Sequence, residues 1–200
     1  MGGGVEAIES HDPWTVFEDW YRAASEARLP LPEALTLATV GLDGRPAARI
    51  VLYKGRSGAG LRFFSNYSSR KGKELARVPF AALVFHWAAL GRQVRVEGAV
   101  EKLSPGESDA YFMSRPRDSQ LGAWASPQSE ALPSEEVLSA RLVELRTRYA
   151  HGEVPRPPHW GGYRLLPERF EFWTAAEHRL NERVLFERDA ESWRRTLLAP

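Results

Sequence analysis

The sequence predicts one α+β domain, and three observations predict it. Stretches with apolar residues alternating at a period of two dominate residues 34–103 and return after residue 160. Amphipathic stretches with helical spacing stand before and between those strands. The chain has 200 residues, 43% of them apolar, and a chain of this length buries roughly 70% of its unfolded surface, enough for one core.

Residues 1–12 are Gly-rich and without period, and read as a flexible tail ahead of a domain spanning 13–200. Trp14, Phe17, Trp20, Tyr21 and Ala24 recur at helical spacing and predict a helix over 13–27, ended by Leu29-Pro-Leu-Pro. Residues 34–40 and 47–53 read as strands joined at Asp43-Gly44, the usual hairpin dipeptide. A strand over 61–65 follows, then a short helix capped by Ser68 or Ser69 and running to Arg77. Residues 80–87 and 93–103 make a second strand pair, with Val94, Val96 and Gly98 alternating against Arg95 and Glu97. Ser104-Pro-Gly-Glu is a helix start: a Ser cap, Pro at the first position and Glu three residues after the cap. That helix reaches Met113. Another begins at Ser134-Glu-Glu, with Val137, Leu138, Leu142 and Leu145 on one face. Arg156-Pro-Pro breaks the pattern, and strands return at 163–166, 170–174, 184–187 and 193–197.

The sequence contains no cysteine, so disulfide, thiolate and iron–sulfur chemistry are excluded. The most apolar run, 80–90, has 11 residues and includes His86, against about 20 for a membrane-spanning helix. The N-terminal Met-Gly-Gly-Gly carries neither the basic flank nor the apolar core of a signal peptide. A cytoplasmic protein without a membrane partner is expected. The histidines at 11, 86, 151, 159 and 178 form no i,i+4 pair, so no metal centre is expected. His86 reads as a hydrogen-bonded core residue of an apolar strand. Ser68-Ser-Arg-Lys71 matches a serine-hydrolase tetrapeptide without its companion motifs, and Gly72-Lys73 lacks the earlier glycine of a phosphate loop because position 67 is Tyr. Glu168 and Glu171 read as solvated strand-end carboxylates rather than an acid–base pair.

Net charge is +1, but residues 41–73 carry eight cations and one acid, Asp43. That concentration means either a localised anion site or a solvated basic face. No nucleic-acid motif accompanies it. Four segments combine cations with hydroxyl or amide groups: Arg49-Ile-Val-Leu-Tyr-Lys54, Ser65-Asn-Tyr-Ser-Ser-Arg-Lys71, Ser114-Arg-Pro-Arg-Asp-Ser-Gln120 and Glu177-His-Arg-Leu-Asn-Glu-Arg183. These are the groups that bind phosphate: Arg as a planar fork, Lys as a point charge, hydroxyls for the remaining oxygens. Each charge-assisted bond contributes about 1.5–3 kcal/mol. Arg49 and Lys54 have opposite strand parity, which suits two ligands better than one.

These segments, together with Arg92-Gln-Val, the continuation Leu121-Gly-Ala-Trp-Ala-Ser-Pro-Gln-Ser129, Trp160-Gly-Gly-Tyr, Glu171-Phe-Trp and the closing Leu197-Leu-Ala-Pro, resemble the pyridoxine/pyridoxamine 5′-phosphate oxidase family over residues 12–200. The resemblance implies an FMN-binding split β-barrel with peripheral helices. It implies a homodimer with active sites at the interface and a C-terminal dimerisation segment over about 160–200. Carried across by position, Arg49, Ile50, Val51, Leu52 and Lys54, then Phe64, Ser65, Gln93, Gln128, Ser129, Trp173 and Arg183, would contact FMN, with Arg70 and Lys71 on its phosphate. Lys54, Tyr111, Arg115 and Ser119 would hold the substrate phosphate. Arg179 and Asn181 would be the catalytic pair against the substrate ring. The implied reaction moves a hydride from substrate C4′ to the flavin, with O2 as final acceptor and H2O2 as product.

One position departs from the family pattern. The usual R-L-H-D-R is here Arg179-Leu-Asn-Glu-Arg183, so Asn181 replaces a histidine and does not titrate near neutrality. Phe64-Ser65 replaces a more usual Tyr-Thr. Asn181 motivates an alternative, a related FMN oxidase of phenazine-type secondary metabolism. A third reading is a split-barrel protein that binds flavin without turnover.

Overall fold

The computed structural model describes residues 8–200. Part of the expected tail, residues 1–7, lies outside them. Of the remainder, Ile8 is buried in the main core, with its carbonyl accepting from Arg195. The Asp12 carboxylate caps α1 (Pro13–Glu26) by accepting from Trp14 N and Thr15 N. The inward stripe of α1 is Trp14, Val16, Phe17, Trp20 and Ala24. Trp14 packs edge-on to Phe170 at 5.2 Å, and Trp20 to Phe172 at 5.3 Å.

The strands are β1 (Ala34–Val40), β2 (Pro46–Leu52), β3 (Arg56–Ser57), β4 (Gly60–Asn66), β5 (Phe80–Trp87), β6 (Arg92–Lys102), β7 (Trp160–Thr174), β8 (Glu182–Asp189) and β9 (Ser192–Leu198). They form one antiparallel sheet in the order β2-β1-β5-β6-β7-β4-β3, with β8 pairing β7 and β9. The β1–β2 hairpin turns at Gly44, whose φ of +79° lies in the left-handed region that favours glycine. Beyond β2 the chain returns to β4, with Lys54 N donating to Arg62 O and Arg62 N to Gly55 O. That contact closes the barrel.

The sheet splits along β7. Its first half pairs with β4 (Trp160 opposite Asn66), its second half with β8 (Thr174 opposite Glu182), and β6 runs beside both. The sequence pattern predicts two strands here, because Pro167 interrupts it. The structure has one strand of 15 residues. The register shifts at Glu97/Gly98, opposite Pro167, and a Cβ on Gly98 would sit 1.9 Å from the Leu166 carbonyl oxygen. A bulge with a glycine is how a proline passes through a paired strand.

The helices are α2 (Arg70–Arg77), α3 (Pro105–Met113), α4 (Arg117–Ala125) and α5 (Glu136–Arg148). The α3 capping box is present in full. α4 falls in a segment that periodicity does not mark as helical, since Ser119 and Gly122 interrupt its apolar pattern. The expected stripe of α5 is only half-buried; its Leu142 and Leu145 pack on a second cluster around Phe112, Leu121, Val154 and Trp160. His86 is exposed, contrary to expectation: Leu83, Phe85 and Trp87 take the inward parity of β5 and leave it outside. Among the described residues, no helix is long and apolar enough to cross a membrane.

Candidate functional site

The cationic segment folds into a turn and the first residues of α2. Asn66 Oδ1 accepts from Ser68 N at 2.7 Å. Ser69 Oγ accepts from Gly72 N at 3.3 Å and donates to Asn66 O at 2.6 Å. These bonds preset the turn, while further N–H groups of the first helical turn keep no intrahelical acceptor. Lys71 Nζ donates to Gln128 Oε1 at 2.8 Å, as does Ser65 Oγ at 3.4 Å. Burial lowers the Lys71 ammonium pKa, and the charge of Arg49 lowers it further.

Behind Lys71 lies Glu74, whose carboxylate is fully buried. Burial alone would raise its pKa. Bonds from Thr39 and Arg70 and the charge and bond of Arg49 outweigh burial and hold it below the usual carboxylate range. A carboxyl lowered on folding contributes stability above its unfolded pKa, and that contribution is lost as pH falls through the folded value. Urea midpoints of the wild type should therefore fall progressively as pH drops below about 5, where unfolded Glu begins to protonate. In Glu74→Gln this acid-dependent loss should be smaller.

A cleft of about 600 Å³ opens between the β2–β4 edge and α3–α4. Ile50, Val51, Leu52, Lys54, Phe64, Ser65, Lys71 and Gln128 line one side, and Tyr111, Arg115 and Ser119 line the other. The Phe64 ring stacks on Tyr111 at 3.8 Å and on Trp160 at 5.6 Å. The Arg115 guanidinium lies 4.6 Å from the Trp160 ring centroid, and its Nη1 is buried without a hydrogen-bond partner. Burial pulls the Arg115 pKa down, as for a cation short of a counter-ion. Burial pushes that of Tyr111 up. Asn66, Pro116, Ala123, Ser126 and Trp160 also line the cleft. Sequence reasoning did not single these out, although all five stand inside the quoted motifs.

The other expected residues do not line this cleft. Arg49 and Arg70 turn to Glu74. Arg49 and Lys54 thus diverge, but not by strand parity: β2 ends at Leu52 and Lys54 lies beyond it. Ser129 is exposed with φ +75°. Gln93, Trp173 and Arg183 stand side by side across β6, β7 and β8. Glu171, expected to be solvated, is buried: its Oε1 accepts from Arg183 Nε and Nη2 at 3.0 and 2.9 Å, and its Oε2 from Arg95 at 3.1 Å. Glu168 is exposed as expected. Arg179 is exposed in the turn after β7, where His178 and Arg179 have φ of +55° and +61°. Asn181 Oδ1 accepts from Ala176 N at 3.1 Å and closes that turn. The structure therefore sorts the residues into a cleft and a separate strip.

A family model described as pyridoxamine 5′-phosphate oxidase matches residues 22–149, and one described as the pyridoxine 5′-phosphate oxidase C-terminal dimerisation region matches 160–200. The second model contains most of the strip. A pyridoxine/pyridoxamine 5′-phosphate oxidase of Thermosynechococcus vestitus is 54% identical over 196 residues, covering 98% of this chain and 92% of that protein. One from Methylibium petroleiphilum is 52% identical with the same coverage. The crystal structure of PhzG from Burkholderia lata, in complex with tetrahydrophenazine-1-carboxylic acid, superposes with a TM-score of 0.91 at 33% identity, over 99% of this chain and 100% of that one. A pyridoxamine 5′-phosphate oxidase-related, FMN-binding protein of Nostoc punctiforme shares the fold, with a TM-score of 0.75 at 18% identity over 96% of this chain and 100% of that one.

Proposed function

Because the chain belongs to the pyridoxine/pyridoxamine 5′-phosphate oxidase family, we propose that it oxidises pyridoxamine or pyridoxine 5′-phosphate to pyridoxal 5′-phosphate. The alcohol reaction consumes O2 and yields H2O2; the amine reaction also consumes water and yields ammonia. FMN is the cofactor of this oxidoreductase, and the C-terminal dimerisation region points to a homodimer. The residues present fit FMN. The cleft has the size of a cofactor site, its wall is half aromatic and aliphatic, and Lys71 stands in it at the start of a helix.

One observation carries the reading. Besides Lys54, the cleft holds two cationic groups on different helices' ends, Lys71 from α2 and Arg115 from the α3–α4 turn, and Arg115 has a buried N–H with no acceptor. A phosphorylated cofactor beside a phosphorylated substrate needs both. Lys71, with Ser65 and Gln128 beside it, and Arg70, the preceding residue of α2, hold the flavin phosphate. Lys54, Tyr111, Arg115 and Ser119 hold the substrate phosphate. The chemistry that FMN supplies when bound is two-electron oxidation of the carbon bearing the amine or hydroxyl, with O2 as the final acceptor. Fixing one substrate at both its phosphate and its ring converts an encounter into an intramolecular geometry.

Gln93, Trp173, Arg179, Asn181 and Arg183 complete the site from the partner copy. Each two-fold dimer then has two sites, each combining the cleft of one chain with the strip of the other. Mixing and reassembling Arg115→Ala with Arg183→Ala tests this. Half of the reassembled dimers are hybrids, and each hybrid has one unaltered site. Assayed with substrate well below the raised KM of Arg115→Ala sites, where those sites are nearly silent, activity should return to about a quarter of wild type. Recovery of none would mean that cleft and strip act within one chain.

The function itself is tested with purified, flavin-loaded protein. Anaerobic pyridoxamine 5′-phosphate should bleach the flavin absorbance and yield the aldehyde product and ammonia, and air should then restore the absorbance and yield peroxide. No bleaching and no aldehyde would refute the proposal. The 33% identity to PhzG and the presence of Asn181 support a second reading, oxidation of an unphosphorylated aromatic acid. Flavin bleaching by such an acid, with none by pyridoxamine 5′-phosphate, would favour it.

A further inference from the structure

Glu74 is a buried carboxylate that burial alone would disfavour. Its Oε2 accepts from Thr39 Oγ1 and Arg49 Nη2, each at 2.6 Å, and its Oε1 from Arg70 Nε at 2.9 Å. Arg49 is held further by bonds from Nη1 to Leu37 O and to Thr39 Oγ1. One carboxylate thus fixes two guanidinium groups from different elements, beside the helix start that presents Lys71.

Packing does not explain this arrangement. α2 already seats Leu75 against the core. Replacing a buried ion cluster by an apolar side chain of similar volume is often neutral or stabilising. What an apolar residue cannot do is hold Arg49 and Arg70 against their mutual repulsion and against solvent, since the Arg70 side chain is 63% exposed. We propose that Glu74 is a positioning residue for the FMN phosphate: it locks Arg49 and Arg70 so that Arg70 and Lys71 meet the phosphate in one geometry. This rests on the assignment of that phosphate to α2 made above.

Orientation and charge predict opposite signs here. As a bare negative charge near an anion, Glu74 would weaken FMN binding, and its removal would tighten it. As a clamp, its removal weakens binding, because two arginines must then be ordered by the ligand itself. The clamp acts only on a ligand that carries the phosphate.

The full chain is stripped of flavin, and FMN and riboflavin are titrated separately by flavin fluorescence, for wild type and for Glu74→Gln, which keeps the side-chain volume. FMN affinity should fall about tenfold, the equivalent of one charge-assisted bond, while riboflavin affinity stays within about twofold. Unchanged or tighter FMN binding would overturn the proposal. So would equal losses for both ligands, which is what a general loosening of the fold produces. Wild-type protein that does not prefer FMN to riboflavin would overturn the assignment of the flavin phosphate to α2, and this proposal with it. If Glu74→Gln does not fold, Thr39→Val carries the test. It removes the hydroxyl bridging Glu74 and Arg49 and leaves both ion pairs. A loss confined to FMN supports the clamp, and no loss or equal losses overturn it.

Discussion

Replacing Arg115 by alanine should raise the KM for pyridoxamine 5′-phosphate by roughly 10- to 150-fold, the equivalent of one charge-assisted bond of about 1.5–3 kcal/mol. The guanidinium is half-buried between the ring of Trp160 at 4.6 Å and that of Phe112 at 5.6 Å. These contacts fix its plane and shed its water, and they leave Nη1 with no acceptor. A desolvated donor of this kind lacks only an anionic oxygen. Because the phosphate lies away from the reacting carbon, the loss should appear in KM with kcat nearly retained. Unphosphorylated pyridoxamine should respond little. Arg115→Lys should recover only part of the loss, since an ammonium cannot reproduce the planar stack and fork. Steady-state kinetics on both substrates checks this; a KM change below about threefold, less than the weakest charge-assisted bond, would remove Arg115 from the substrate site.

Phe170→Ala should cost about 3–5 kcal/mol of stability, a large share of the roughly 5–15 kcal/mol that holds a domain together. The side chain is fully buried. Its ring meets Trp14 at 5.2 Å, Trp193 at 5.5 Å and Phe172 at 6.0 Å, so it joins α1, β9 and β7 at one point. Truncation leaves a cavity lined by rigid aromatic rings, which close poorly around it. Calorimetry of the flavin-free protein should show a midpoint lower by roughly 6–20 °C for a chain of this length. FMN should bind the variant with lower apparent affinity as well, because Glu171, which grips Arg183, is the next residue along β7. A shift under about 2 °C would mean that the rings close the gap, contrary to their rigidity in a close-packed core.

Many secondary elements were legible because their signals are local. Asp43-Gly44 specifies a turn through the backbone freedom of one residue, and Ser104 with Glu107 specifies a helix start through bonds three residues apart. The alternation in 80–87 and the helical stripe of 13–27 each lie within one element. The motif segments were legible as runs of cations, hydroxyls and amides for the same reason. They are short runs whose residue types suffice, and Lys54, Tyr111, Arg115 and Ser119 do meet in one cleft.

Other features depend on partners far along the chain. His86 and Leu83 belong to the same apolar run, and only pairing with β6 settles which parity faces the core. Pro167 reads as a strand end until Gly98, 69 residues earlier, supplies the bulge that lets β7 continue. Glu74 carries no role that the sequence around it marks. Its burial and its bonds to Thr39 and Arg49, at separations of 35 and 25 residues, exist only when α2 lies on β1. Composition and order alone therefore determined the α+β class, the Ser104 cap and the Gly44 turn, and the inventory of cationic and hydroxyl groups. Tertiary structure decided which of those groups share a cleft, which stand on a separate strip and which carboxylates clamp them. The physical reason is range. A turn or a cap closes within a few residues and writes itself locally, whereas burial and ion pairing are properties of surfaces that touch only after the sheet has set its register.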